Sequence, residues 1–309
     1  MASTLTDMAP NLLRSERGTV PLTLGQRTTG LGLLGLGLGI AVSAILGPLV
    51  LGVIKLRTPV NIENQFVGGE IVSLGVVAPV AVVAGVLWLR GHRLAPALAL
   101  APALYSVYTY ASVVFAQDYA RFDGNGERFF PLYTALAGGG AAIAVSAWSQ
   151  LGRQPIPIPS LHLRRTLGTI LIAAGSLIGL AWAQQIRLVI SGQPGADYLE
   201  GPSLFWFIKF ADFGFVIPAM LATGVGLFRS IPTAIKAAYG LAGFLTCLAG
   251  SVTGMGIAME LKGDPSSQPG VLIALVPLTL GLAAVTAILL RSFLSGRGPG
   301  SLPNSHTNA

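Results

Sequence analysis

Apolar residues run along most of the chain without the alternation of a half-buried strand, and the runs match the roughly 20 residues a helix needs to cross a bilayer core of about 30 Å. Eight runs are bounded by charge, proline or polar stretches: 29–54, 70–89, 94–116, 131–148, 166–185, 203–228, 234–258 and 271–290. Lipid leaves no water for unpaired backbone groups, so spanning segments are helices or closed barrels. Barrel strands are about ten residues long and alternate, whereas these runs are long and continuous. The predicted fold class is all-α: a polytopic integral membrane helical bundle of about eight transmembrane helices.

Composition supports this. Over 309 residues the chain is 52% hydrophobic and only 10% charged, with a mean hydropathy of +0.70. The single cysteine, Cys247, excludes a disulfide scaffold and reads as a small apolar packing residue. The segment before the first run carries Arg14, Arg17 and Arg27 but no short apolar stretch ending in a small-residue cleavage site, so the first helix is expected to be retained. It opens with glycine at positions 30, 32, 35, 37 and 39, small residues where helix backbones can approach closely.

The sequence also resembles itself. One constant offset carries Gly75, Val77, Pro79, Gly85, Val86 and Arg90 onto Gly214, Val216, Pro218, Gly224, Val225 and Arg229. An offset one position shorter carries Arg27, Thr28, Gly30 and Ile40 onto Arg165, Thr166, Gly168 and Ile178. Two halves of four helices each enter the bilayer the same way round, so the repeat would be parallel, with its pseudo-twofold axis along the membrane normal. The expected organisation is a cytoplasmic N-terminal segment (1–28), a first half (29–150), an inner linker (151–165), a second half (166–295) and a disordered cytoplasmic tail (296–309).

Charge orients the bundle. With both termini inside, the inner segments hold twelve Lys and Arg residues and the outer loops six, the asymmetry expected of a bacterial-type inner-membrane protein with cytoplasmic N- and C-termini. The acids go the other way, with Asp7 and Glu16 inside and nine at or near the outer rim. The net charge of +7 lies beside helix ends, where anionic lipid heads account for it. No basic stripe interleaves with aromatics, so nucleic acid is not an expected partner.

Charges inside a span are costly and mark candidate sites. Lys209 and Asp212, three positions apart, share one face of the sixth span. The internal resemblance sets Lys209 opposite Glu70 and Asp212 opposite Ser73, so opposite charges at one depth are expected to meet across the axis as a buried ion pair. Tyr105 and Tyr108, with Ser106, Thr109 and Tyr110, offer hydroxyls in the third span. Two readings compete: a polar cavity that binds an ion, a proton or a small polar solute, or charges that knit helices together and snorkel to the interface. The outer loops add Asp118, Asp123, Glu127, Asp197 and Glu200, with the polar run 61–65, as a surface for a ligand or a membrane partner protein. Asp123-Gly124-Asn125-Gly126-Glu127 has the alternating oxygens of a calcium loop, but Arg128 stands where glycine is required and no acid follows at the twelfth position. Turn formation explains it better.

No span holds a histidine, since His92, His162 and His306 lie in inner segments, so haem ligation is disfavoured and no metal or other cofactor is expected. No motif names a hydrolase, and no glycine-rich loop carries the lysine of a nucleotide site. The expectation is transport of an ion or small polar solute through an outward-facing site around Glu70, Lys209 and Asp212. The alternatives are a membrane sensor or assembly subunit acting through its outer loops, or, less favoured, an enzyme using Asp212 or Glu70 as acid or base.

Overall fold

The computed structural model describes residues 23–294; the expected disordered tail and nearly all of the expected N-terminal segment lie outside them. Among the described residues there are eight helices long and apolar enough to cross a membrane: α1 (Leu24–Leu46), α2 (Val60–Leu89), α3 (Ala95–Phe115), α4 (Gly126–Gly152), α5 (Leu161–Ile190), α6 (Pro202–Phe228), α7 (Pro232–Leu261) and α8 (Pro269–Arg291). The chain is a multi-pass, all-helical membrane protein.

Two predicted boundaries are corrected. Helix α1 starts earlier, where Thr23 and Gln26 form a reciprocal cap, and it ends at Leu46 because Gly47 and Pro48 follow; Pro48 has no N–H to continue the ladder. Helix α2 begins at Val60 directly after Pro59. The run 61–65, expected in a loop, is therefore the polar opening turn of a membrane helix.

Helices α2, α3 and α7 form the centre, with α6 against α7 and the end of α3. Helices α1 and α4 pack on one flank, α5 packs chiefly on α6, and α8 packs on α7. Small residues bring the central pair together: a side chain at Gly240 would meet Leu100, and one at Gly243 would meet Ala101. One end of the bundle, the acidic end, gathers the α1–α2, α3–α4, α5–α6 and α7–α8 loops and is rich in carboxylates. The opposite, basic end carries Arg90, Arg93, Arg153, Arg164, Arg165, Arg229 and Lys236 with no carboxylate among the described residues.

Each of α2 and α6 is interrupted about midway by a π turn, Ser73–Val77 in one and Asp212–Val216 in the other. The cause is local. Pro79 and Pro218 follow, each lacking an N–H and crowding the carbonyl of the previous turn, and the wider turn relieves that clash. The two turns are related by the same offset that carries Gly75 onto Gly214, and further features recur at that spacing. Helices α2 and α6 end in the same hydrogen bonds, His92 N–H to Leu87 O and Ile231 N–H to Gly226 O, around left-handed residues Gly91 (φ 66°) and Ser230 (φ 57°). Gly85 touches the Gly30 carbonyl in the α1–α2 crossing, as Gly224 touches the Gly168 carbonyl in the α5–α6 crossing.

One pair of contacts breaks the correspondence. In the α2–α7 seam Gly68 and Gly254 lie backbone against backbone. The positions that the offset relates to them are Phe207 and Phe115, and in the α3–α6 seam these stack as rings 5.5 Å apart. Two glycines close the first seam, and two phenylalanines prop the second apart.

Candidate membrane-embedded charged site

The sixth helix carries its charges on its inward face. Phe205, Lys209 and Asp212 are buried there, while Trp206 and Phe210 point outward from the bundle. Lys209 is 5% exposed and Asp212 7%, yet they form no ion pair with each other: among the described residues the one ion pair within 4.0 Å is Arg57–Glu127, between the α1–α2 loop and the 3-10 turn Gly126–Phe129 that precedes the apolar run of α4 at the acidic end. The Lys209 ammonium instead rests on aromatic faces, 3.9 Å from the Trp182 ring centroid and 4.0 Å from that of Phe205. A ring's negative face accepts a cation that has given up water.

Asp212 opens the π turn of α6 and is held by neutral donors. Trp182 donates its Nε1–H to Oδ2 at 2.7 Å, and Tyr108 donates its hydroxyl to Oδ1 at 3.1 Å. Trp182 of α5 thus serves both charges, with its ring face toward Lys209 and its edge toward Asp212. The Asp197 charge reaches Lys209 from the acidic end, and Gln185, one turn beyond Trp182 on α5, has a buried Oε1 with no hydrogen-bond partner among the described residues.

Glu70 lies elsewhere, and the expected Glu70–Lys209 pair is corrected. Its carboxylate turns toward the end of α1, where Oε2 accepts the Leu49 N–H at 2.9 Å and Oε1 lies against Gly47. The reason is geometric: each of these side chains turns toward the helix that precedes its own. Glu70 meets the end of α1 as Lys209 meets α5, and neither turns toward the other.

The candidate tyrosines also separate. Tyr108 belongs to the Asp212 site. Tyr105, fully buried, links Ser73 Oγ at 2.9 Å and donates to Ser251 Oγ at 3.1 Å, tying α2, α3 and α7 together beside the other π turn. Both π turns therefore begin with a side chain hydrogen-bonded to a tyrosine of α3.

Most outer-loop candidates are engaged within the fold. Glu127 receives Arg57 on both oxygens, Nε at 3.0 Å and Nη2 at 2.8 Å, and this pairing pulls its carboxyl down to about 2. Asn125 accepts the Lys55 N–H and donates to the Val53 carbonyl, so the two loops of this flank form one cap. Asp118 caps its own turn through the N–H groups of Ala120 and Arg121, and the Asp123 charge reaches Arg57. Asn61 of α2 donates to Glu200, and Asn64 donates to Asp264 at 2.7 Å, holding that carboxyl below its usual range. Among the described residues no three His, Cys, Asp or Glu side chains gather as a metal site.

Trp182 and Arg57 were missed from the sequence. A lone tryptophan in an apolar span looks like interface belt, and the one signal that could have found it is the rule that an indole N–H away from water needs a partner. Against protein-family models, curated proteins and solved structures, the chain has no match.

Proposed function

We propose that the protein is a membrane transporter carrying a small polar solute or an ion past Asp212 and Lys209. One observation carries the reading: a buried carboxylate stands at the first residue of a π turn midway through a membrane helix, hydrogen-bonded by neutral donors, with a buried ammonium one turn away that has no ion-pair partner within 4.0 Å among the described residues. Burying two charges without pairing them costs more than an apolar pair of the same size, so stability alone gives no reason to keep them. Interrupted helices at mid-depth are where transporters place their sites. One turn beyond Trp182 on α5, Gln185 adds a buried oxygen that has no hydrogen-bond partner among the described residues.

In this reading the chain consists of two halves, 29–150 and 166–295, related about an axis along the membrane normal. The basic end lies in the cytoplasm of a bacterial-type cell, following the rule that Lys and Arg stay inside. A solute with a cationic group would replace Lys209 on the rings or meet Asp212; one with an anionic group would meet Lys209.

The test is flux in proteoliposomes. Purified protein is reconstituted and offered a panel of radiolabelled amino acids, amines, organic acids and inorganic ions, beside Asp212→Asn and Lys209→Met. The expected result is uptake of one solute class by the wild type, lost in both variants while their thermal unfolding stays cooperative. If no solute moves and both variants merely unfold earlier, the charges are structural and transport is abandoned.

A further inference from the structure

A cleft of about 560 Å³ opens between the acidic end of α3 and the start of α6. It is walled by Val114, Phe115, Trp206, Phe207 and Phe210, with Ser203, Gln117 and Tyr119 at its loop end. Phe115 is 60% exposed and Phe210 67%. Phe115 is the last residue of α3 and Phe210 lies two turns into α6, so the cleft runs from the acidic end into the span.

The cleft exists because of the phenylalanine pair. The corresponding α2–α7 seam is shut by Gly68 on Gly254, and the Phe207–Phe115 stack holds α6 off α3 at the same level. The cleft's walls are almost wholly apolar, which favours an occupant of matching chemistry that makes dispersion contacts with them. The volume is that of a small-molecule site, roughly 300–1,000 Å³, too small for a partner helix. Polarity is graded along it: Phe210 reaches furthest into the span, and the hydroxyls of Ser203 and Tyr119 stand at the loop end. Two residues past Tyr119 in the same loop, Arg121 stacks on Phe122 and has no carboxylate within ion-pair distance among the described residues, and a loop cation beside a membrane attracts lipid phosphate.

We propose that the α3–α6 seam is a binding site for a membrane glycerophospholipid, with one acyl chain between Phe115, Phe207 and Phe210 and the phosphate toward Arg121. The site is independent of the transport reading. It nevertheless touches the charged site, because the Phe207 ring also packs edge-on against Tyr108, the donor to Asp212.

The test uses the full chain in nanodiscs of palmitoyl-oleoyl phosphatidylcholine and phosphatidylglycerol, doped with phosphatidylglycerol carrying a diazirine in its acyl chain. Labelling is mapped by peptide mass spectrometry. At segments 114–119 and 203–210 it is expected to saturate at low dopant, whereas on the outward face of α8 it should rise in proportion to dopant. Two variants are expected to lose the saturable label by different routes: Val114→Trp by filling the cleft, and Phe115→Gly with Phe207→Gly by letting the seam close as α2–α7 does. Native mass spectra should show one retained phospholipid in the wild type and none in the variants. Proportional labelling at the seam, or seam residues crosslinked to a second copy of the chain, would overturn the proposal. Should one variant fail to fold, the other decides.

Discussion

The indole of Trp182 donates its Nε1–H to Asp212 across 2.7 Å while its ring face carries the Lys209 ammonium 3.9 Å from the centroid. One side chain therefore keeps two opposite charges apart and satisfied, and its two functions can be separated. Trp182→Phe retains a ring for Lys209 but removes the donor, leaving a buried carboxylate oxygen short of a hydrogen bond at a cost of about 1–3 kcal/mol. The melting temperature in nanodiscs is expected to fall. Adding Asp212→Asn should cost less in the Trp182→Phe background than in the wild type, because the lost partner is shared. Strict additivity would mean that the bond does not stabilise the fold.

The closed seam allows a sharper stability comparison. Gly68 and Gly254 have backbone against them, so Gly68→Val or Gly254→Val should destabilise by about 1–3 kcal/mol or more. Gly138, in α4, has open space where a side chain would go, so Gly138→Ala should be neutral or slightly stabilising because alanine is the better helix former. Equal effects at the two sites would refute the close approach.

Both the reach and the limits of the sequence are visible in particular residues. The eight spans are legible because bilayer thickness imposes a length that hydropathy reports directly. The paired prolines, glycines and arginines of α2 and α6 were also legible, and they fall where the two π turns and the two left-handed caps lie. Azimuth was not legible. Glu70 and Lys209 are related positions on their helices, but depth does not fix which neighbour a side chain faces, and each turns to the helix preceding its own. The opening of α2 was hidden for another reason: Asn61 and Asn64 are polar because they bind Glu200 and Asp264, and hydropathy cannot tell such a turn from a loop.

The loop cap supplies a pH test. The Glu127 carboxyl is drawn from 4.5 down to about 2 by Arg57, so the folded state binds this proton less readily than the unfolded one. The pairing is fully present above about pH 4.5 and is lost as pH falls toward 2. Pepsin, active throughout that window, is expected to spare segment 119–130 of the wild type near pH 4.5 and to cut it near pH 2. Glu127→Gln should be cut at both. Raised salt should weaken protection near pH 4.5, because the pair is solvent-accessible and screened.

Ser230 holds a left-handed conformation at φ 57° and accepts a hydrogen bond from Arg164 Nη1 at 2.7 Å. A side chain in that region costs about 1–2 kcal/mol, which glycine avoids, as Gly91 does at the matching turn. Ser230→Ala loses the hydroxyl and keeps the strain, whereas Ser230→Gly loses the hydroxyl and relieves it. Thermal unfolding is therefore expected to rank Ser230→Gly above Ser230→Ala. The reverse order would contradict the backbone assignment.

Helix α5 rests chiefly on α6 and brings Trp182 to the charged site from the rim of the bundle. The clamp on Lys209 and Asp212 is thus mounted on a removable wall: swinging α5 outward would strip both charges of their indole while α2, α3 and α7 stayed packed. The indole's place at the pair therefore depends on one helix crossing, where Gly168 and Gly224 approach closely, and enlarging either residue is the way to loosen it.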